Sequence, residues 1–436
     1  MVKFKWEKEF KETPIGKIPR DWDIQSIDDI TNKLPGAAFS SKYFNKEGRG
    51  LPLIRIRDLG KRTTEAYYEG PYEKEYVVNP GDILIGMDGA FDVHKWKGPI
   101  GLLNQRVLKI WPKDQNSLDK EYLYYASIIP VKAFEEQVVG TTVAHLLMSH
   151  LKYIYIPIPP TKEEQERIAT VLSWFDNLIE NKRRQNEILE KTAMAIFKSW
   201  FIDFEPFQDE EFVYSEELDM EIPKGWEVKP IGEVAEFFRG LSYKGSEKFE
   251  KAIPDSYVFI TLNNIKEEGG FRPRYSWIKS QRLKPRHFLK EFDLVMANTH
   301  FGVGGLEKER LLASPAIVFF PPGYSKNIGV YSHHITKISL IDSTLKFYVY
   351  LYLKFTKRDS VRFATGTGVL GLDIENFKIN KLIIIPPKPI LEKFHSLVEP
   401  LFRKIIINEK EIMVLKKAHD TLLPQLVFGR LRVEEV

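Results

Sequence analysis

One sequence transition occurs twice in this chain, and this duplication limits the folds that the chain can adopt. The first copy starts at Gly140 with GTTVAHL, and the second starts 226 residues later at Gly366 with GTGVLGL. Each copy continues into a short apolar run, then Pro-Pro, then a long helical pattern. This period is far too long for a solenoid repeat. The chain is therefore predicted to contain one module twice, a globular half followed by a long helix.

The duplication also covers the start of each half. Residues 18–22, Ile-Pro-Arg-Asp-Trp, recur at 222–226 as Ile-Pro-Lys-Gly-Trp. Short β-forming runs separated by Gly, Pro and Asn follow, with one helical pattern over 119–138 and another over 344–363. These patterns predict a mixed α/β (α+β) class. The expected organisation is a first globular domain over 1–158, a central helix over 159–205, a second globular domain over 206–386, and a distal helix with the C-terminal tail over 387–436.

Both long helices carry a heptad pattern. Thr161 is expected as the N-cap of the first, with the Glu164 side chain returning to the Thr161 amide as a capping box. Apolar residues then alternate at spacings of four and three, which is typical of a coiled coil. At ~1.5 Å per residue the first helix would be ~60 Å long. The expected packing positions are Ile168, Leu172, Phe175, Ile179, Leu189 and Ile196 in the first helix, and Val398, Leu401, Ile405, Ile412, Leu415 and Leu422 in the second.

Polar residues interrupt both stripes near their midpoints. Lys182 and Asn186 interrupt the first stripe, and Asn408 interrupts the second. If the helices pair antiparallel, as an intramolecular coiled coil with a pseudo-twofold, these residues meet in one layer that sets the register. Parallel pairing, or simple core packing of each stripe, stays open at this point. Pro400 is expected to kink or locally break the second helix.

Composition narrows the class of protein. The chain has 436 residues and no cysteine, so disulfides, thiolate metal sites and cysteine nucleophiles are excluded. The charged N-terminus shows no signal peptide, and no apolar run approaches the ~20 residues that span a bilayer. We therefore expect a cytoplasmic protein with no membrane partner. The net charge of +4 neither supports nor excludes a nucleic-acid partner.

Motifs for catalysis are missing from the sequence. It contains no phosphate-binding P-loop motif, no His-Glu-x-x-His, no Gly-x-Ser-x-Gly and no amino-methyltransferase Asn/Asp-Pro-Pro-Tyr/Phe. His333 and His334 are the only adjacent histidine pair, and neighbouring residues of a strand point to opposite faces, so no metal site is expected. A non-catalytic, binding role is the resulting prediction.

Residues suited to DNA are frequent in the turn-like segments of both halves. Arg, Asn and Gln pair with guanine and adenine edges in the major groove, and Lys and Arg neutralise phosphates. For any single residue, a solvated surface position is the simpler interpretation. The candidates for DNA contact are Arg55, Arg57, Lys95, Lys97, Gln105, Arg106, Thr141 and Thr142 in the first half, and Asn263, Asn264, Arg272, Arg274, Asn298, His300, Arg310 and Thr367 in the second.

These features together resemble the specificity subunit of type I restriction-modification systems. The resemblance covers nearly the whole chain, although the second helix start lacks the Glu-Gln-x-x-Ile-Ala form of the first. The residues that carry it are the Ile-Pro-x-x-Trp segments 18–22 and 222–226, the strand-Pro-Pro-helix junctions 156–161 and 383–389, the helix start 164–169 (Glu-Gln-Glu-Arg-Ile-Ala), and the tail 422–431 (Leu-Leu-Pro-Gln-Leu-Val-Phe-Gly-Arg-Leu).

The resemblance implies a role for each part of the chain. Each globular half would be a target recognition domain that reads one half of a bipartite DNA site, and the paired helices would set the gap between the half-sites. The partners would be double-stranded DNA, two methyltransferase subunits, and restriction/translocase subunits. No cofactor is expected on this chain, because S-adenosylmethionine, ATP and Mg²⁺ would belong to the partner subunits.

Two other functions compete with this one. A nuclease or methyltransferase with a degenerate site would cleave or methylate DNA alone. A coiled-coil protein-binding adaptor would show no salt-dependent DNA affinity, whereas DNA binding weakens steeply with salt.

Overall fold

The protein divides into two compact units in its computed structural model. The structure describes residues 2–138, 145–300, 311–366 and 370–435. Unit 1 comprises residues 1–178 and 415–436, and unit 2 comprises residues 179–414. No helix among the described residues is long and apolar enough to span a membrane.

Two long helices run through both units. The helices are α1 (Ile27–Ile30), α2 (Lys120–Val138), α3 (Lys162–Phe201), α4 (Lys346–Phe355), α5 (Lys357–Ser360), α6 (Ile374–Asn380) and α7 (Lys388–Val427). The predicted helix over 344–363 is interrupted, because α4 ends at Thr356, whose hydroxyl donates to the Tyr352 carbonyl at 2.9 Å.

Unit 1 is built from two main sheets. Its strands are β1 (Lys3–Trp6), β2 (Phe10–Thr13), β3 (Gly16–Pro19), β4 (Asp23–Ser26), β5 (Thr31–Pro35), β6 (Phe44–Asn45), β7 (Leu51–Ile54), β8 (Tyr67–Tyr68), β9 (Val77–Val78), β10 (Ile83–Gly86), β11 (Val93–Lys95), β12 (Gly101–Leu103), β13 (Val107–Pro112) and β14 (Tyr155–Ile158). One sheet has the order β5-β13-β10-β11 and the other β6-β8-β7-β12-β9, with β7 and β12 parallel.

Unit 2 repeats the two main sheets strand for strand and adds a small three-stranded sheet. Its strands are β15 (Phe212–Ser215), β16 (Met220–Pro223), β17 (Glu227–Pro230), β18 (Ala235–Arg239), β19 (Lys248–Phe249), β20 (Tyr257–Ile260), β21 (Ser276–Ile278), β22 (Phe288–Lys290), β23 (Leu294–Ala297), β24 (Thr299–His300), β25 (Pro315–Ile317), β26 (Ile328–Tyr331), β27 (Ile335–Leu340), β28 (Ala364–Thr365), β29 (Leu370–Leu372) and β30 (Leu382–Ile385). The main sheets have the orders β18-β27-β23-β25 and β19-β21-β20-β26-β22, with β20 and β26 parallel, and the small sheet has the order β24-β29-β28. The predicted duplication is therefore confirmed at the level of the fold.

The repeated Ile-Pro-x-x-Trp segment anchors the core of each unit. In unit 1, Ile18 lies in β3 of the β2–β3 hairpin, Trp22 follows three residues after that strand, and both are buried. In unit 2, Ile222 lies in β16 of the β15–β16 hairpin, Trp226 follows it, and both are buried. In unit 2 the Trp226 ring contacts Phe201 of α3 at a centroid distance of 5.9 Å. Burying such large rings strongly stabilises the chain entry into each module.

The long helices pair antiparallel. In unit 1 the ring of Phe175 lies 6.4 Å from that of His419, and in unit 2 the amide of Asn408 donates to Asn186 Oδ1 at 2.9 Å. Rising numbers on α3 therefore meet falling numbers on α7, and the expected polar layer forms. Lys182 pairs with Glu411 one turn away. The helical coiled-coil interpretation is confirmed.

The heptad positions divide into two groups by burial. The buried face of α7 is wider than the predicted heptad positions, because Phe402 is also buried and stacks on Phe347 of α4, with ring centroids 5.0 Å apart. One face of α7 in unit 2 therefore packs on its globular part as well as on α3. Fully buried are Ile168, Leu172, Ile179, Val398 and Ile412, and partly buried are Phe175, Leu189, Ile196, Leu401, Ile405, Leu415 and Leu422.

Of the two effects expected of Pro400, a kink or a local break, the break does not occur. Helix α7 continues from Lys388 to Val427 without a break. Proline removes one backbone donor and crowds the carbonyl four residues earlier. Pro400 is exposed, while Val398 and Phe402 on either side of it are buried. Packing of the neighbouring residues therefore holds the helix together across the defect.

The expected capping box is only half formed. The Thr161 hydroxyl accepts from the Glu164 amide at 3.3 Å, but the Glu164 carboxylate does not return to Thr161. It takes a bidentate ion pair from Arg432 at 2.9 and 3.0 Å. A charge-assisted fork is stronger than a bond to a neutral amide, which explains the choice.

Arg432 ties the end of the chain to its beginning in unit 1. It lies in β31 (Leu431–Glu435), which pairs antiparallel with β1. Its guanidinium also donates to Glu7 at 3.1 Å and to Asp21 at 2.9 Å. Burial works against the Arg432 charge, but its hydrogen bonds to Glu164, Asp21 and Glu7 raise its pKa above the ordinary value. One guanidinium thus binds three carboxylates.

Replacing Arg432 tests this tie. We expect Arg432→Met to lower the free energy of unfolding of unit 1 by about 3 kcal/mol, because Glu164 stays buried without its partner. Arg430→Met is the matched control, since the Arg430 side chain is exposed, and it should change stability by less than ~0.5 kcal/mol. Urea denaturation measures both, and equal effects of the two variants would contradict the account.

The asparagine layer gives a second prediction. Asn408→Ala should destabilise unit 2 by about 1–2 kcal/mol, because Asn186 Oδ1 loses its donor in a buried position. The double variant Asn186→Leu/Asn408→Leu should recover that loss, since no unpaired amide remains, while weakening the preference for one register. Asn181→Ala, at an exposed position of α3, is the control. Thermal unfolding that ranks the double variant below Asn408→Ala would refute this role.

Candidate nucleic-acid interface

Three strand ends converge in unit 1. The parallel strands β7 and β12 end together at Ile54 and Leu103, and the last residue of β10, Gly86, pairs with Val107 at the start of β13. The segments that follow these strands therefore lie at one edge of the unit. We call this surface the strand-end edge; in unit 1 it comprises residues 55–58, 87–90, 104–106 and 145–147.

A tight turn at residues 104–106 forms the centre of this edge. The backbone amide of Gln105 donates to the Ala37 carbonyl at 2.7 Å, and the backbone amide of Met87 donates to the Arg106 carbonyl at 2.9 Å. Gln105 and Arg106 have exposed side chains. The Arg106 guanidinium lies 3.4 Å from the Asp88 carboxylate, which also contacts His145 Nδ1 at 2.7 Å. The turn therefore presents an arginine that is oriented by a neighbouring carboxylate.

A second exposed arginine lies on the short 3-10 helix Ile56–Asp58. Arg57 is exposed there, whereas Arg55 is held inside by an ion pair to Asp58 at 2.8 Å. Asp58 is buried and also accepts the Thr64 hydroxyl at 3.1 Å. Arg55 and Asp58 thus build the loop, and Arg57 is the side chain that the loop displays.

Unit 2 has the same edge with other side chains. Here it comprises residues 261–264, 298–300, 332–334 and 370–373. The backbone amide of Asn298 donates to the His334 carbonyl at 3.0 Å, and the backbone amide of Leu372 donates to the backbone carbonyl of Asn298 at 2.8 Å. Thr299 Oγ1 lies 2.8 Å from His334 Nδ1. Asn263 is exposed on the 3-10 helix Leu262–Asn264.

The adjacent histidines lie in a turn, which corrects the expectation that they occupy opposite faces of a strand. Their ring centroids are 3.8 Å apart. The alternation of side chains holds for extended strands, and residues 333–334 instead connect β26 to β27. Burial, with the neighbouring His333 and Arg239, lowers the pKa of His334 to about 4. His334 is therefore neutral near pH 7.

Two asparagines among the candidates are buried. Asn264 accepts from the Thr261 amide at 2.8 Å and donates to the carbonyls of Arg272 and Arg274 at 3.2 and 2.8 Å. Asn298 donates to the His333 carbonyl at 3.1 Å and to Thr336 at 2.9 Å. Both amides shape loops, so neither can present its edge to a base without breaking these bonds.

The other candidates are largely buried, exposed or half-buried, or have side chains that the structure does not describe. Lys95 is largely buried, pairs with Glu121 and lies 5.3 Å from the Tyr124 ring centre. Lys97 and Arg274 are exposed and Arg272 is half-buried. His300 belongs to β24 by its backbone, and its side chain is not among the described ones. Outside the described residues lie Thr141, Thr142, Arg310 and Thr367.

Sequence reasoning missed Arg239. This residue ends β18, is exposed, and donates to the His333 carbonyl at 3.1 Å. It lines a cleft of about 520 Å³ together with Thr299, Thr365 and Asp373. The sequence offers one indication of Arg239: it directly precedes Gly240. Gly240 occupies the position in unit 2 that Gly36 occupies in unit 1, just before the residue that bridges to the turn. Within the described ranges no group of three or more His, Asp or Glu residues is arranged to hold a metal ion.

Comparison with known proteins gives the family. The model of the type I restriction modification DNA specificity domain matches twice, over residues 19–191 and 223–417. The chain is 40% identical to the type I restriction enzyme MjaIX specificity subunit of Methanocaldococcus jannaschii, over all of this chain and 99% of that protein. It is 31% identical to the EcoBI specificity subunit of Escherichia coli over 51% of this chain and 48% of that protein.

A solved structure shows the same fold. The crystal structure of the type I restriction-modification S subunit from M. genitalium matches with a TM-score of 0.55 and 17% identity, covering 93% of this chain and 96% of that chain. The chain therefore belongs to the family of type I restriction-modification DNA specificity subunits. The predicted family is confirmed, and the competing adaptor without a DNA role is not supported.

Asn263 and Asn264 are neighbours with different roles: Asn264 stabilises the loop from inside, and Asn263 exposes its side chain to solvent. Asn264→Ala should destabilise unit 2 by about 2 kcal/mol, because it removes a buried side chain and its three hydrogen bonds to the Thr261 amide and to the carbonyls of Arg272 and Arg274. Asn263→Ala removes an exposed side chain and should change stability by less than ~0.5 kcal/mol. Urea denaturation followed by circular dichroism checks both. A stable Asn264→Ala variant would show that its bonds do not hold the loop.

Proposed function

We propose that this chain reads a bipartite DNA site as the specificity subunit of a type I complex, with unit 1 reading one half-site and unit 2 the other. The observation that carries the proposal is the duplicated fold, since one strand order occurs twice and displays polar side chains at the same edge each time. Arg57, Gln105 and Arg106 in unit 1 and Asn263 in unit 2 are suited to base edges and phosphates.

The paired helices set the unread gap in this proposal. Helix α3 leaves the strand β14 through Pro159-Pro160, and α7 leaves β30 through Pro386-Pro387. A helix of fixed length with a fixed register separates its ends by a fixed distance. The number of base pairs between the half-sites would then follow from the length of the helices.

The catalytic steps would belong to partner subunits. We propose that the chain docks two methyltransferase subunits and then restriction/translocase subunits, in the cytoplasm. Those partners would bind S-adenosylmethionine, ATP and Mg²⁺, and this chain would bind none of them. The family description, which names DNA specificity and no reaction, supports this division of labour.

Co-expression tests the proposal. The chain is produced with the methyltransferase encoded beside it, the complex is purified, and methylated adenines in the host DNA are mapped by sequencing. Two methyltransferase subunits per chain and methylation at a split, asymmetric motif are the expected results. A chain that forms no complex and leaves no split motif would contradict the proposal, and retention of DNA affinity in high salt would contradict phosphate binding.

The helix length gives a further prediction. One heptad inserted into α3 and one into α7, at paired positions beside Asn186 and Asn408, lengthens the helix pair by about 10 Å. The gap in the methylated motif should grow by up to about 3 base pairs, at 3.4 Å per base pair, with both half-sites unchanged. A heptad in α3 alone is the control, and it should abolish methylation because it shifts the register. An unchanged gap in the double insertion would refute the ruler.

A further inference from the structure

The two strand-end edges share one backbone frame around their central turns. In unit 1 the amides of Ala37, Asn104 and Gln105 donate to Leu103, Ile54 and Ala37 at 3.1, 3.2 and 2.7 Å. In unit 2 the equivalent amides of Leu241, Ser332 and His333 donate to Tyr331, Ile260 and Leu241 at 2.8, 2.9 and 2.9 Å. By these hydrogen bonds Asn104 corresponds to Ser332 and Gln105 to His333. Arg106 corresponds to His334, because their carbonyls accept from the equivalent backbone amides of Met87 and Asn298.

A glycine is retained where this frame requires it. A Cβ on Gly36 would lie 2.0 Å from the Asn104 carbonyl oxygen, and a Cβ on Gly240 would lie 2.4 Å from that of Ser332. Any larger residue would push the turn away from the neighbouring strand. Both copies of the module thus keep the residue that lets the turn approach.

The side chains displayed by the frame differ between the copies. Gln105 and Arg106 correspond to His333 and His334, and Asp88, which orients Arg106, corresponds to Thr299, which contacts His334. Unit 1 therefore displays a charged arginine at this point, while unit 2 carries two half-buried imidazoles whose pKa values are lowered by burial, so that they are neutral near pH 7. The hydrogen bonds of the frame are shared, whereas its tip differs in side chain and in backbone, because Arg106 has a φ of 70° and the φ of His334 is not positive. Such a difference at the tip is expected where two modules must recognise different sequences.

The backbone of Arg106 adds an independent observation. Its φ of 70° lies in the left-handed region, which disfavours residues other than Gly, Asn and Asp. Residues kept in such conformations concentrate at ligand-binding sites. A glycine would fit this position better, so the presence of an arginine there points to a use for its side chain.

We propose that this turn is the specificity-determining element of each unit, and that Gln105 with Arg106 in unit 1 and His333 with His334 in unit 2 discriminate between base pairs at corresponding positions of the two half-sites. The inference rests on the proposed function, whose half-sites it assigns to particular side chains.

The chemistry of each pair fits base edges differently. The arginine fork matches guanine O6 and N7, and the glutamine amide matches adenine N6 and N7. A neutral imidazole offers one donor and one acceptor and makes no bidentate contact of this kind. Exchanging the pairs should therefore alter base preference without altering the frame.

The test exchanges the turn residues in the complex with the co-expressed methyltransferase and maps the methylated motif. Q105H/R106H should change the preferred base at one or two positions of a single half-site, by roughly 10- to 100-fold. H333Q/H334R should change the other half-site. R20H/Q115H is the matched control, because both residues are exposed in unit 1 and the change in charge is the same; its motif should equal that of the unsubstituted chain.

The outcomes separate the two proposals. An unsubstituted complex without a split motif would refute the proposed function. A split motif that Q105H/R106H leaves unchanged, or alters in both halves, would overturn the role of the turn alone. If Q105H/R106H abolishes methylation, R106G decides, since glycine accepts the left-handed backbone and should melt within a few degrees of the unsubstituted chain. Relaxed preference at one position in R106G supports the turn, and an unchanged motif overturns it.

Discussion

The hydrogen bond between Asn186 and Asn408 holds α3 and α7 in one register, and much else depends on that register. Both amides are buried, and a slip of one heptad would place each of them opposite an aliphatic position of the other helix, which cannot satisfy it. The same slip would displace α7 by about 10 Å along α3. Arg432 follows the end of α7 closely and would lose Glu164, the carboxylate that anchors it at the start of α3.

The second constraint is the backbone frame at the strand-end edges. Both units keep the strand order, the parallel pair and the glycine that lets the central turn approach. What varies between them is confined to side chains such as Arg106 and His334. Duplication of a frame with independent change at its tip allows one chain to hold two different recognition surfaces without a new fold. The family membership gives this division a purpose, because a DNA specificity subunit must read sequences that its fold does not determine.

The sequence predicted most of what depends on pattern. The duplication, the α/β class and the long helices follow from spacing, which local periodicity records directly. The meeting of Asn186 with Asn408 followed only on the condition that the helices pair antiparallel, which spacing alone left open. It failed where a contact between distant residues decided the outcome. Glu164 was expected to cap its own helix, but Arg432, 268 residues further along the chain, binds its carboxylate instead. Asn264 and Arg57 looked alike as polar loop residues, and only the folded loop separates the buried amide from the displayed arginine. Pro400 was expected to kink or locally break α7, and the break does not occur, because packing on both sides of it outweighs the lost hydrogen bond.

In the proposed function, the length of the helix pair sets the number of base pairs between the two half-sites. The most direct measurement offers the complex a plasmid library in which the two half-sites of its motif are separated by gaps that differ by single base pairs, and counts methylation at each gap length. The account predicts strong methylation at one length and a steep loss one base pair to either side. Similar methylation at several lengths, or at isolated half-sites, would contradict it.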